Sequence, residues 1–120
     1  MNLQPETTYS TIVGQIVANR RRQCHLDQGV LAQRMNVSQP TLSKIERGDS
    51  AFTIEQLTTA SQALSTTPGK ILAKADGARL ALETQGIIVH DQRPSKTGHV
   101  ALALLSLAAL ALLIGLAAKK

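Results

Sequence analysis

The chain has 120 residues and a formal net charge of +5, with one tyrosine, one phenylalanine and no tryptophan. A core built almost entirely from aliphatic side chains favours a small helical domain over a sandwich or a barrel. The single cysteine, Cys24, excludes an internal disulfide, which is typical of a reducing compartment. The mildly basic N-terminal part is compatible with a polyanionic partner.

The first predicted elements are a flexible N-terminal segment over residues 1–9 and a helix that begins near Ser10. The apolar residues of this helix recur at helical spacing, at Ile12, Val13, Ile16 and Val17. Arg20–Arg22 follow, where positive charge stabilises a helix C terminus; the alternative role of these arginines is to bind phosphate. Asp27 is expected to cap a second helix, which ends near Asn36, a residue that tolerates left-handed backbone.

Three further helices are predicted, and each begins with a capping residue. Ser38 caps the third helix, Pro40 is tolerated in its first turn, and Gly48 ends it. Thr53 opens a capping box and a fourth helix. The expected inward residues of that helix are Ile54, Leu57, Ala60 and Leu64. Thr67-Pro68 begins a fifth, short helix.

Residues 76–99 are predicted to be a linker that contains a short helix and a strand. Ala78–Thr84 has helical character, and Gly86 is a stop signal. Ile87–Val89 reads as a short strand, which must pair with a second copy of the chain or pack elsewhere, since one strand cannot stand alone.

The segment Gln28–Arg47 has the residue types that two closely crossing helices and a tight turn require. Ala32 is small at the expected crossing point, and Asn36 suits the positive φ angle of the turn. The segment resembles the lambda-repressor-like helix-turn-helix family (XRE/Cro type). The residues that carry the resemblance are Leu26–Gln28, Leu31-Ala32, Asn36–Ser38 and Leu42–Gly48. The resemblance implies an all-α fold, a five-helix DNA-binding domain over residues 10–75.

The same resemblance implies site residues by position. The implied DNA contacts are Gln28, Ser38, Gln39, Pro40, Thr41, Ser43 and Lys44. Gln39 would read an adenine edge and Lys44 a guanine edge, whereas Gln28 and Ser43 would bind phosphate. Arg21 and Glu46 would form a structural ion pair. The alternative for the exposed polar residues is an ordinary solvated helix face.

The sequence departs from the family pattern at three positions. Gly29 lies inside the second helix, where glycine costs about 1 kcal/mol relative to alanine. Arg20 occupies a position that is usually apolar. Pro40 removes a hydrogen-bonding side chain from a reading position.

A long apolar run, Val100–Ala118, contains no charged residue. As a helix it would be about 28 Å long, close to the thickness of the bilayer core. We therefore expect a single transmembrane helix, with the N-terminal domain in the cytoplasm at the inner membrane. The pair Ala111 and Gly115 could bring two such helices together. The alternative is an oligomer whose members bury these segments together.

The sequence as a whole predicts a membrane-anchored, sequence-specific transcriptional regulator. The expected partners are double-stranded DNA, membrane lipid and a second copy of the chain. A repressor is one form of this hypothesis, and an antitoxin with a toxin partner is another. No catalytic set of side chains is visible, and the scattered histidines indicate no metal site or cofactor, so no enzyme is expected. The alternative function is a membrane-tethered adaptor whose helix-turn-helix domain binds a protein.

Overall fold

A computed structural model describes residues 5–92, which form five helices and one pair of strands. The helices are α1 (Tyr9–Gln23), α2 (Gln28–Arg34), α3 (Gln39–Arg47), α4 (Ile54–Ala63) and α5 (Pro68–Thr84). The strands are β1 (Glu6–Thr8), before the first helix, and β2 (Ile88–His90), after the last. The expectation of a five-helix domain is confirmed, with a small sheet added to it.

The capping signals read from the sequence operate at three of the helix starts. The hydroxyl oxygens of Ser38 and Thr67 accept hydrogen bonds from the backbone amides of Thr41 and Lys70. Thr53 forms the full capping box with Gln56. Asp27 is the N-cap residue of α2, but its side chain makes no capping hydrogen bond.

The hydrophobic core lies between α1 and the other four helices and is built mainly from aliphatic side chains. Those almost fully buried include Ile12, Val17, Leu31, Leu42, Leu64 and Leu82. The expected inward face of α4 holds for Leu57, Ala60 and Leu64. It was wrong for Ile54, whose side chain is 79 % exposed. Ile54 is the first residue of α4 and lies about a quarter turn away from the stripe formed by the other three.

The fifth helix is longer than expected and runs without a break past residue 75, the predicted end of the domain. Ala75, Ala78 and Leu82 continue its buried face. Gly86 follows the helix with a φ angle of +84°, a left-handed conformation that glycine adopts without strain. Residues 76–92 therefore belong to the folded domain.

The strands β1 and β2 pair in parallel, with Glu6 opposite Ile88 and Thr8 opposite His90. A backbone hydrogen bond from Ile88 N to Pro5 O, 3.0 Å long, extends the ladder. His90 Nε2 also lies 3.2 Å from Glu6 Oε1. The sequence predicts a flexible segment over residues 1–9 and a strand Ile87–Val89 that pairs with a second copy of the chain or packs elsewhere. The structure differs from both predictions. Residues 6–8 are ordered as a strand, and β2 finds its partner within the same chain.

A polar cluster around Tyr9 joins α1, α5 and the end of β2. The Tyr9 hydroxyl donates to Asp76 Oδ1 at 2.7 Å, and the Arg79 guanidinium lies 5.8 Å from the centre of the Tyr9 ring. Arg79 Nη1 also donates to Asp91 Oδ1 at 2.6 Å, and this hydrogen bond raises the pKa of Arg79. Burial, followed by the hydrogen bond to Asp76, raises the pKa of Tyr9 to about 12.

Within residues 5–92 no helix combines the length and the apolar character needed to cross a bilayer. The predicted transmembrane helix Val100–Ala118 and the end of the predicted linker lie outside the described residues.

At Gly14 the helix α1 lies directly against the backbone of α3. A side chain at this position would meet the backbone carbonyl oxygens of Ile45 and Glu46, the latter at 2.9 Å. Because backbone cannot move aside as the end of a side chain can, only glycine allows this contact.

We expect Gly14→Ala to lower the free energy of unfolding by about 2–3 kcal/mol, since the added methyl group overpacks the contact between α1 and α3. Gly69→Ala is the matched control, because a Cβ at Gly69 would have no neighbour within 4 Å. It should leave stability unchanged or raise it by about 0.5 kcal/mol. Urea unfolding followed by circular dichroism measures both, and equal effects would contradict this account of Gly14.

Candidate nucleic-acid interface

The helix α3 has one buried side and one exposed side. Leu42, Ile45 and Glu46 face the interior. Most of the predicted contact residues are exposed, namely Ser38, Gln39, Pro40, Thr41 and Lys44, whereas Ser43 is half-buried. The helix therefore presents a continuous polar surface outward from its first turn to its last.

The turn between α2 and α3 has the geometry expected from its residues. Asn36 has a φ angle of +58°, and Val37 N donates to Ala32 O at 3.0 Å, which closes the end of α2. The small side chain of Ala32, next to this turn, is buried in the core. A short turn at a small residue thus sets the crossing of α2 and α3, as in a helix-turn-helix.

A buried ion pair fastens α3 to α1. Arg21 Nε and Nη2 lie 2.8 and 3.1 Å from the two carboxylate oxygens of Glu46, a two-point contact. The side chains are only 11 % and 5 % exposed. Arg21 Nη1 also donates to Leu26 O at 2.9 Å, so that the guanidinium spans the loop before α2.

Two glutamine side chains connect the buried carboxylate of Glu46 to the surface of the domain. Gln28 Nε2 donates to Glu46 Oε1 at 2.8 Å. Since a carboxylate only accepts hydrogen bonds, this contact orients the Gln28 amide and turns its oxygen away from Glu46. Gln39 Nε2 then lies 3.5 Å from Gln28 Oε1, at the limit of a hydrogen bond. The structure thus brings together Gln28 and Gln39, from two different helices.

The outer end of α3 carries a residue that the sequence reasoning missed. Arg47 Nη1 donates to Ser43 Oγ at 3.0 Å, and Arg47 Nε lies 3.3 Å from Asp49 Oδ2. Arg47 follows Lys44 by three residues, which places both cations on one helix face. That spacing was the available signal. The side chain of Lys44 has no hydrogen-bond or ion-pair partner within the part of the chain that the structure describes.

Arg20, one of the departures from the family pattern, binds the end of α4. Its Nε donates to Leu64 O at 3.0 Å and its Nη2 to Ser65 O at 3.2 Å. Both carbonyl groups lie at the C terminus of α4, where backbone oxygens have no partner within the helix. An arginine at this position is therefore structural.

We expect Glu46→Ala to destabilise the fold by about 3 kcal/mol, because it leaves the Arg21 guanidinium buried without its counter-ion. Glu83→Ala is the control: Glu83 pairs with Arg79 at 3.6 Å on an exposed helix face, and such pairs contribute about 0.3–0.5 kcal/mol. Thermal unfolding of both variants measures the difference. Equal losses of thermal stability in the two variants would show that the buried Arg21–Glu46 pair stabilises the fold no more than the exposed Arg79–Glu83 pair.

Comparison with known proteins locates this site in a known class of fold. A family model described as helix-turn-helix matches residues 17–71. No curated protein matches the chain.

Two crystal structures of the clp gene regulator ClgR from Corynebacterium glutamicum are similar. The first has a TM-score of 0.62 and 25 % sequence identity over 64 % of this chain and 82 % of that chain. The second has a TM-score of 0.55 and 26 % identity over 58 % of this chain and 91 % of that chain. A structure of apo-HppE has a TM-score of only 0.48. The chain thus matches the helix-turn-helix family over the segment that contains α2, α3 and the contacts between them.

Proposed function

We propose that this protein is a sequence-specific DNA-binding transcriptional regulator that acts as a repressor. The observation that carries the proposal is the arrangement of α3, whose exposed side presents Gln39, Thr41 and Lys44 while Glu46 fixes its buried side to α1. A helix held in this way, with its N-terminal residues outward, suits the major groove of B-DNA.

Gln39 and Lys44 are the proposed base-reading residues. A glutamine can bond an adenine edge with both its oxygen and its nitrogen, and a lysine can bond the acceptors of guanine. Gln39 rests beside Gln28, which is held by Glu46. This contact restricts the side chain of Gln39 before DNA binds, so that fewer of its conformations are lost on binding. Pro40 contributes shape and a fixed backbone instead of hydrogen bonds.

The proposed phosphate contacts flank the reading residues. Gln28 keeps a second amide hydrogen for a phosphate oxygen, since only one is used by Glu46. Ser38 and Ser43 add hydroxyl groups at the start and in the middle of α3, and the N terminus of this helix also favours an anion. Arg47, beside Ser43, adds a cation to the same surface. Such contacts set the register on DNA without reading its sequence.

The similarity to ClgR supports regulation as the biological role, because that protein is described as a clp gene regulator. The helix-turn-helix match over residues 17–71 supports DNA as the ligand.

We further propose that Val100–Ala118 anchors the regulator in the inner membrane, with the DNA-binding domain in the cytoplasm. The support is the sequence, in which a segment long enough to span the bilayer core carries no charge.

The DNA proposal is tested with the full chain in mild detergent. Genomic duplex fragments bound by the protein are selected, and affinity for the best fragment is measured by fluorescence anisotropy. Gln39→Ala and Lys44→Ala should each weaken binding by about 1–3 kcal/mol and relax the preference at one base position. Affinity should fall steeply as salt rises.

Lys70→Ala removes an exposed lysine of α5 and should change affinity little. No binding at low salt, or equal losses for Lys44 and Lys70, would favour a protein-binding adaptor instead.

The anchor is tested by extracting membranes at high pH. The full chain should stay in the membrane pellet. Leu107→Lys combined with Leu110→Lys should release it, since each lysine near the bilayer centre costs about 2.5–3.5 kcal/mol. Ile54→Lys, which adds a charge at an exposed site of α4, is the control and should stay in the pellet. Recovery of the unaltered chain in the soluble fraction would refute anchoring.

A further inference from the structure

The side of α5 that faces away from the core carries small and apolar residues. Its exposed members are Ala73, Gly77, Leu80 and Thr84, which we call the outer strip. The side chain of Leu80 is 67 % exposed. A surface helix normally carries charged residues opposite its core stripe, so the outer strip lacks the polar cover that exposure to water favours.

The charged residues of α5 are divided between the two edges of the outer strip. With about 100° of rotation per residue, the exposed Lys70 and Lys74 lie along one edge. Neither lysine side chain has an ion-pair partner within residues 5–92. The acidic residues lie beyond the other edge and are paired within the chain. Asp76 Oδ1 accepts from the Tyr9 hydroxyl at 2.7 Å, and Glu83 Oε2 lies 3.6 Å from Arg79 Nε.

The unpaired positive charge of α5 therefore lies beside its apolar strip. An anionic lipid surface suits this combination, because its phosphate groups attract lysine and its acyl boundary accepts an exposed leucine. The long apolar stems of Lys70 and Lys74 can lie along such a boundary while their ammonium groups stay at the level of the phosphates.

The chain also leaves the folded domain beside the outer strip. Asp91 Oδ1 accepts a hydrogen bond from Arg79 Nη1 at 2.6 Å, and Arg79 is the neighbour of Leu80 in α5. The apolar run Val100–Ala118 begins nine residues after Asp91. Nine residues reach at most about 32 Å when fully extended. An anchor formed by this run would thus keep the outer strip close to the bilayer surface.

A short tether makes a weak surface contact effective. One exposed leucine and two lysines would bind a bilayer weakly from free solution. Attachment through a short linker instead gives the strip an effective concentration in about the millimolar range, so that the same contact is occupied much of the time. The strip shares no residue with the surface of α3 that is proposed to read DNA.

We propose that the outer strip of α5 docks on the anionic surface of the membrane, with Leu80 at the acyl boundary and Lys70 and Lys74 among the phosphate groups. The inference rests on the proposed anchoring by Val100–Ala118 and adds an orientation to it. The domain lies against the bilayer through α5 and does not move freely at the end of its linker.

Spin labelling of the full chain in liposomes of phosphatidylcholine and phosphatidylglycerol tests the docking. Cys24 is first replaced by serine, and a nitroxide is attached to Leu80→Cys or to Ile54→Cys. Ile54 is the matched control, because it is a more exposed apolar position and lies on α4. Electron paramagnetic resonance then measures collisions of each label with an uncharged, water-soluble nickel chelate. Collisions should be several-fold fewer at residue 80 than at residue 54, and equal collision rates would overturn the proposal.

The role of the lysines is tested in the Leu80→Cys chain. Lys70→Ala combined with Lys74→Ala should lower the ratio of docked to undocked molecules about thirtyfold, the combined contribution of two lysines near an anionic surface. Arg22→Ala combined with Arg34→Ala removes two exposed cations outside α5 and should leave this ratio unchanged. Because all four side chains are exposed, the fold should tolerate both changes. Equal effects of the two double variants would contradict docking by the lysine edge.

Two further outcomes separate the docking from its alternatives. In liposomes of phosphatidylcholine alone, the label at residue 80 should become about as accessible as the label at residue 54. Protection that persists there would show that protein covers the strip, and would refute a lipid partner. Flotation of the chain with the liposomes reports the anchor separately: a chain that does not float refutes the anchor and the docking with it, whereas a floating chain with an accessible residue 80 refutes the docking alone. No DNA is present, so a failure of DNA binding does not affect the result.

Discussion

The contact between α1 and the C-terminal half of α3 is the constraint on which the rest of the domain depends. At Gly14 the two backbones touch. Beside it, the buried Gln15 Nε2 donates to Glu46 O at 2.8 Å. Gly48 ends α3 in a left-handed conformation against Thr11 of α1. These contacts are made by backbone or by buried polar groups, which adjust little, so the direction of α3 is set by the first helix as much as by the turn before it.

Glu46 connects this rigid contact to the proposed reading surface. Its carboxylate accepts from Arg21 on α1 and from Gln28 on α2. A buried carboxylate is unfavourable unless its lone pairs are used, and here three hydrogen bonds use them. The same bonds hold Gln28 beside Gln39. One set of hydrogen bonds thus compensates for the burial of the Glu46 charge and also positions the exposed amide of Gln39.

The sequence predicted best the features that depend on neighbouring residues. The caps at Ser38, Thr53 and Thr67 and the turn at Asn36 are local, and all operate as expected. In the site, the exposed face of α3 and the Arg21–Glu46 contact followed from position within a known motif.

The pairing of β1 with β2 joins segments some eighty residues apart, and no local pattern encodes such a partner. The Gln28–Glu46 contact and the role of Arg20 likewise depend on distant groups. Ile54 satisfied the helical spacing but lies at the first position of α4, where that spacing is a weak guide.

The cluster around Tyr9 has a spectroscopic consequence. Tyr9 is the sole tyrosine in a chain without tryptophan, so the near-ultraviolet emission of the protein arises almost entirely from one phenol ring. That ring touches Asp76 and Arg79 of α5, and Arg79 in turn binds Asp91 where the chain leaves β2. The unlabelled molecule therefore contains an intrinsic fluorescence reporter of whether α1, α5 and the end of β2 remain in contact, and this reporter lies outside the surface proposed to read DNA.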